Sequence, residues 1–227
     1  MSPVIDRSKS NLKVKIRSKK KIAQNTEAKQ RRQKEKDICI NANVIFGLDN
    51  GVTGSLACKF TKFPYIDYIE TPVIECNNYT QEVKKINRID IITLENWFLK
   101  HINFGKTLYN DEIKVIVILE RPMVNPQRFQ QSLIAMRAFE ATLIVLEKLN
   151  LNYIIIDSKK WQHHFFGNDT TQIDLKKSSE NLSIEILTNL EKENLYELPI
   201  SELKKSVKRH GDADSLLMCK YAEEKLI

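Results

Sequence analysis

The run Ile113-Lys114-Val115-Ile116-Val117-Ile118-Leu119 is apolar at all but one position and stops at an acid, Glu120. A strand with apolar side chains on both faces has to be covered on both faces, so it belongs inside a sheet with helices packed on it. A second run of this kind, Val44-Ile45-Phe46-Gly47-Leu48, also ends in an acid, Asp49. Asn50-Gly51 and Gly54 follow it and suit a tight turn. Residues 55–60 and 65–69 alternate and carry β-formers, so they read as the second and third strands of a meander.

Helical spacing takes over from there. Val83, Ile86, Ile89, Leu94, Trp97 and Phe98 recur at three- and four-residue steps and predict a helix over 80–101. Pro126 can open another, marked by Phe129, Leu133, Met136, Phe139, Leu143 and Leu146, that runs to about 149. Residues 153–156 form a short buried strand, and Asp157 or Ser158 caps a short helix that carries Trp161. After a polar segment, a helix is expected over 175–190. Residues 191–208 are charged and weakly patterned, and a last helix starts around 211–212. The order is three strands, helix, strand, helix, strand, helices. The fold class is therefore α/β: a mixed five-stranded sheet, an antiparallel meander plus parallel strands added through helical crossovers.

The +7 charge of the chain is unevenly placed. Residues 1–36 hold thirteen Lys or Arg against three acids, a surplus larger than that of the whole chain, so the remainder is slightly acidic. Such an arm favours a polyanion through phosphate contacts that release counterions. A solvated tail without a partner is the bland alternative, and its basic, Ser- and Thr-containing make-up also suits organelle import. We read 1–37 as a disordered basic tail and 38–227 as the folded domain. No stretch approaches the roughly 20 apolar residues of a membrane span, so an intracellular protein with no membrane partner is expected. Cys39, Cys58, Cys76 and Cys219 form no C-x-x-C pair and are expected as free thiols.

The acids carry the chemistry. Asp49 and Glu120 end strands, and Asp212 and Asp214 open the stretch His210-Gly211-Asp212-Ala213-Asp214-Ser215-Leu216-Leu217-Met218. They can meet only if the two strands are neighbours and the helix crosses them. Gathered carboxylates repel unless a cation sits between them, which points to a divalent-metal site and to phosphodiester cleavage.

Leu48-Asp49-Asn50-Gly51-Val52-Thr53-Gly54, Leu119-Glu120-Arg121-Pro122 and Ala213-Asp214-Ser215-Leu216-Leu217, in this order, resemble the RuvC-type Holliday-junction resolvases of the RNase H-like superfamily over residues 44–227. Phe139-Glu140-Ala141 and Asp157-Ser158-Lys159-Lys160-Trp161-Gln162 look like bacteriophage-type members. The resemblance implies an RNase H-like fold and a Mg²⁺-dependent endonuclease that cuts four-way DNA junctions. It implies that Asp49, Glu120 and Asp214 hold two Mg²⁺ ions, with Mn²⁺ able to substitute, and that Asp49 bridges them. The family usually supplies a fourth ligand just before the last Asp. Here Asp212 lies two residues before it and His210 four. Residues two apart do not share a helix face, so Asp212 as ligand or cap, and His210 as ligand or general base, stay open.

Arg121, Arg128, Arg137, Lys159 and Lys160 are the expected DNA contacts, with Met123 and Phe129 as apolar side chains to insert near a junction centre. Further basic clusters are Lys84, Lys85 and Arg88, and Lys204, Lys205, Lys208 and Arg209. His163 and His164 read as packing or surface residues. Two symmetric cuts call for a C2 homodimer, with the 126–149 helix as its natural element. The competing functions are a related nuclease on flap DNA, RNA–DNA hybrid or transposon ends, a DNA-binding relative without catalysis, and a phosphotransferase with an Asp-x-Gly-x-Thr loop. The last needs a second such loop, which the sequence lacks.

Overall fold

In the computed structural model, strand β1 (Val44–Leu48) is buried at every position. It pairs antiparallel with β2 (Ser55–Phe60), which pairs with β3 (Tyr65–Glu70). A separate two-stranded ribbon, β4 (Val73–Asn77) and β5 (Lys85–Ile89), precedes helix α1 (Ile91–Leu108). Strand β6 (Val115–Glu120) lies parallel to β1, and β7 (Tyr153–Ile156) parallel to β6. The sheet order is β3-β2-β1-β6-β7, the mixed five-stranded sheet of meander plus parallel strands expected from the sequence. Helix α2 (Phe129–Lys148), preceded by a 3₁₀ turn at Pro126–Arg128, connects β6 to β7. Helices α3 (Ser158–Phe166), α4 (Leu175–Lys192), α5 (Ile200–His210) and α6 (Asp214–Lys225) complete the chain.

The described residues are 26, 33, 41–77, 84–168, 174–192, 199–210 (His210 by its backbone) and 213–227. The chain divides into two units, Met1–Ile40 and Asn41–Ile227. In the first, Thr26 and Gln33 are helical, and the rest of the segment read as a disordered tail lies outside the described residues. Cys58, Cys76 and Cys219 are free, while Cys39 is not among the described residues. Among the described residues no helix is long and apolar enough to cross a membrane.

Two local expectations are corrected. The helix expected from residue 80 starts only at Ile91, and 85–89 form a strand instead. Ile86 and Ile89 pair across the ribbon with Cys76 and Val73. The helix begins where Asp90 can cap it, accepting from the N–H groups of Ile92 and Thr93 at 3.2 and 3.1 Å. Residues 78–83 lie outside the described ones. The 191–208 stretch, expected to be weakly patterned, holds most of α5, in which Ile200, Leu203 and Val207 recur at helical steps and are buried along one stripe, an amphipathic face that the expectation missed.

The two faces of the sheet differ. Toward α1 and α2, Phe46 sits 4.8 Å from the ring of Phe98 and 5.3 Å from that of Trp97, in a cluster with Leu48, Leu119 and Leu146. The opposite face receives α6, laid along β2 by residues four apart. Ser55 Oγ donates to Ser215 Oγ at 2.8 Å, Cys219 Sγ lies 3.6 Å from the Ala57 carbonyl oxygen, and Lys59 Nζ pairs with Glu223 at 2.6 Å. Residues 55, 57 and 59 share one strand face, and 215, 219 and 223 one helix stripe, so the two elements run side by side. Burial pushes the Cys219 thiol up to about 12, which keeps it a packing group.

Near the edge of the sheet, Asp67 Oδ2 lies 2.9 Å from Nε2 of the fully buried His101 and 3.6 Å from Lys100 Nζ. Burial works to raise the Asp67 carboxyl, but His101, Lys100 and the Tyr68 N–H together hold it below its ordinary value. A lowered carboxylate pKa contributes stability that is present above the unfolded-state value, about 3.9, and is lost as pH falls through the folded one. Asp67→Asn should therefore lower the urea midpoint at pH 6 and lose most of that effect at pH 3. An equal deficit at both pH values would show that the contribution is not one of charge.

Candidate functional site

The parallel register of β1 and β6 pairs Leu48 with Leu119, so the next residues, Asp49 and Glu120, leave adjacent strands at the same end of the sheet. Ligand sites in open α/β sheets form outside such carboxyl ends. Strand alternation turns Glu120 away from the Leu119 cluster, toward the α6 face. Asp49 starts the turn into β2. Its N–H donates to the Ser55 carbonyl at 3.0 Å, and its own carbonyl accepts from the Gly51 N–H at 3.1 Å. Gly54 closes the turn so tightly that a Cβ there would lie 2.2 Å from the Asp49 carbonyl oxygen and 3.1 Å from Oδ2. The connection is thus a six-residue turn wrapped around the acid, longer than a two-residue hairpin.

Asp49, Asn50, Glu120, Arg121, Met123 and Arg128 line one open cleft of about 310 Å³, closed on its far side by the start of α2. The loop between Glu120 and α2 is pinned. Ser132 Oγ accepts from the Asn125 N–H at 2.8 Å and donates to its carbonyl at 3.0 Å, while Asn125 Oδ1 accepts from the Gln127 N–H at 2.9 Å. On this loop and just past it Met123 and Phe129 are 79% and 66% exposed, beside the cleft instead of in a core.

Asp214 does not line that cleft, but it begins α6 at the same end of the sheet. The Ser55–Ser215 bond fixes that end, and a Cβ on Gly47 would lie 2.2 Å from the Ser215 carbonyl oxygen, so helix and strand touch backbone to backbone. Asp212 is outside the described residues, and the position before α6 is held by Ala213, whose side chain makes no cap. His210 ends α5 and does not extend α6 backward. Among the described residues no three Asp, Glu, His or Cys side chains gather closely enough to cage a metal.

The remaining expected contacts separate into groups. Arg121 and Arg128 share the acid cleft, whereas Arg137 lines a different hollow of about 390 Å³ with Arg88 and Glu140. Lys159 and Lys160 are exposed on α3. In the other basic clusters Lys85 pairs with Glu75, Lys204 with Glu191, Lys205 with Glu202 and Arg209 with Glu70. His164 lies 2.7 Å from Glu224 and packs on Tyr221, as a surface residue does.

Two site neighbours escape a reading of the sequence. Asn50 accepts from Thr142 Oγ1 at 2.9 Å, and its Nδ2 is buried without a partner among the described residues. Trp161, fully buried, donates from Nε1 to Glu120 Oε2 at 3.2 Å. The sequence signal for Asn50 was its place beside Asp49. Trp161 stood in the quoted 157–162 motif without a role, because its partner lies forty-one positions away.

The donor chemistry fits a hard divalent cation. Mg²⁺ keeps several waters and is commonly held by one or two carboxylates plus substrate phosphates, so a cleft with two acids, and a third at the same sheet end, needs no closed cage.

No protein-family profile matches this chain, and no curated protein matches it. Among solved structures, RuvC of Thermus thermophilus is similar at a TM-score of 0.36 and 12% identity, over 81% of this chain and 97% of that one. T. thermophilus RuvC in complex with a Holliday junction substrate is similar at 0.38 and 13%, over 80% and 93%. Overlap this loose carries neither protein's chemistry across.

Proposed function

We propose that the chain is a Mg²⁺-dependent endonuclease acting on branched DNA, with four-way junctions as its substrate. The observation that carries this reading is the pair Asp49 and Glu120 on adjacent parallel strands, in one cleft, with the first residue of α6 at the same end of the sheet. Asp49, Glu120 and Asp214 would hold the metal, with Asp49 shared between two ions, and Asp212 or His210 remains as the fourth ligand. When bound, such ions activate the attacking water and stabilise the leaving 3′ oxygen of an in-line displacement.

The chain's own residues do the rest. Arg121 and Arg128 in the cleft hold the phosphate backbone. Lys159, Lys160 and Arg137 bind flanking phosphates, and the basic 1–36 segment adds a general attraction. Met123 and Phe129, exposed beside the acids, are placed to wedge between bases, which costs least where stacking is already broken, at a branch point. Two opposed nicks need two such sites, so the chain works as a C2 dimer. The apolar residues Leu133, Met136 and Ile144, exposed along α2, suit that contact.

The test compares a mobile four-way junction, a flap, an RNA–DNA hybrid and a plain duplex, each with Mg²⁺ and with chelator. Paired, Mg²⁺-dependent nicks on the junction are expected. A clear preference for hybrid or flap would replace the substrate and keep the chemistry. Binding without cleavage of any of the four would end the enzymatic reading.

A further inference from the structure

We propose that Trp161 is a positioning residue that fixes the Glu120 carboxylate for cation binding. This rests on the metal-dependent reading above. Trp161 sits on α3, which starts directly after β7, and its side chain is among the largest that are fully buried. Its Nε1–H reaches across to Glu120 Oε2 at 3.2 Å.

An indole N–H has one direction, set by the ring, and this ring cannot turn without displacing the packing around it. A glutamate at a strand end has three rotatable side-chain bonds, and each fixed donor narrows the carboxylate orientations open to it. Tethering one oxygen from a rigid, buried donor holds the plane of the carboxylate and keeps its charge at the cleft. Donors of this kind raise metal affinity by orienting the ligand, and their loss commonly costs about 10–100-fold.

The other tryptophan of the chain makes the contrast. Trp97 Nε1 is buried with no partner among the described residues. Burial of an indole in this protein therefore does not by itself require an N–H acceptor, and the bond from Trp161 falls on an acid of the candidate site.

The experiment measures Mn²⁺ binding to the full chain through the EPR signal of the free ion, with no DNA present. Trp161→Phe keeps an apolar ring and removes the donor. Its affinity for Mn²⁺ is expected to fall about 10–100-fold while circular dichroism stays native. The half-saturating Mg²⁺ for cleavage should rise with it, and the rate at saturating Mg²⁺ should recover most of the wild-type value. A purely structural role would leave the metal affinity of the folded variant unchanged, and that result overturns the proposal.

Asp49→Asn serves as the control that separates two failures. If it weakens Mn²⁺ binding and Trp161→Phe does not, the positioning role is wrong and the metal site stands. If neither variant weakens binding, the metal reading fails and takes this proposal with it. If Trp161→Phe does not fold, Trp97→Phe leaves Trp161 as the sole tryptophan. Its emission must then respond to saturating Mn²⁺, and an unchanged signal overturns the proposal.

Discussion

Asp49→Asn is expected to slow Mg²⁺-dependent cleavage of a four-way junction by about a thousand-fold or more, because it removes the charge proposed to be shared between two ions. Metal-held charge stabilisation at the transition state amounts to several kcal/mol, and each 1.36 kcal/mol is a factor of ten. The substitution is close to isosteric. The backbone bonds that shape the turn, from the Asp49 N–H to Ser55 and from the Gly51 N–H to the Asp49 carbonyl, do not depend on the side-chain charge. Junction affinity, measured by fluorescence anisotropy at fixed salt, should therefore stay within about threefold, since Arg121, Arg128 and the basic clusters supply the phosphate contacts. Single-turnover cleavage reads the chemical step apart from product release. A variant that still cuts within tenfold of wild type would remove Asp49 from the chemistry. Glu120→Gln should behave the same way, and a large effect at only one of the two would mean that they do not form one site.

How much of this was legible in the sequence follows from the range of each interaction. The strands expected at 44–49, 113–119 and 153–156 could be read directly as continuous apolar runs, and they are observed at 44–48, 115–120 and 153–156. The sequence made the meeting of Asp49 and Glu120 conditional on their strands being neighbours, and the parallel β1–β6 pairing meets that condition. The ribbon at 73–89 was missed because apolar residues three apart fit a helix as well as a twisted, half-exposed pair of strands, and cross-strand partners decided the matter. Trp161 was invisible as a site residue for a different reason. A hydrogen bond between an indole and a carboxylate forty-one positions apart leaves no periodicity for a pattern to register. The start of α6 was readable as a helix N-terminus rich in acids. What holds it over β1 was not, because that depends on the missing side chain of one glycine.

That glycine is the subject of the second large effect. Gly47→Ala should destabilise the protein by about 3 kcal/mol, the upper part of the range for overpacking a tight core. The new Cβ would stand 2.2 Å from the Ser215 carbonyl oxygen, 3.0 Å from Cys219 Sγ and 3.1 Å from the Cys219 nitrogen. Two of those three obstacles are helix backbone, which no rotamer change can clear. Helix α6 must instead move outward by roughly an ångström, away from the Ser55–Ser215 bond that sets its height over the sheet. Asp214 moves with it. Misplacing a group of the proposed metal site by that distance can cost on the order of a hundred-fold in rate, so the proposed cleavage should fall well beyond what the unfolded fraction explains. Urea unfolding should show a lower midpoint with an unchanged slope, as expected for a less stable native state that exposes the same surface. The double variant Gly47→Ala with Cys219→Ala decides what the obstacle is. It removes the sulfur and leaves the backbone in place, so only a small part of the lost stability should return. Full recovery would mean that the sulfur alone blocked the methyl group, and that α6 is not held against β1 backbone to backbone.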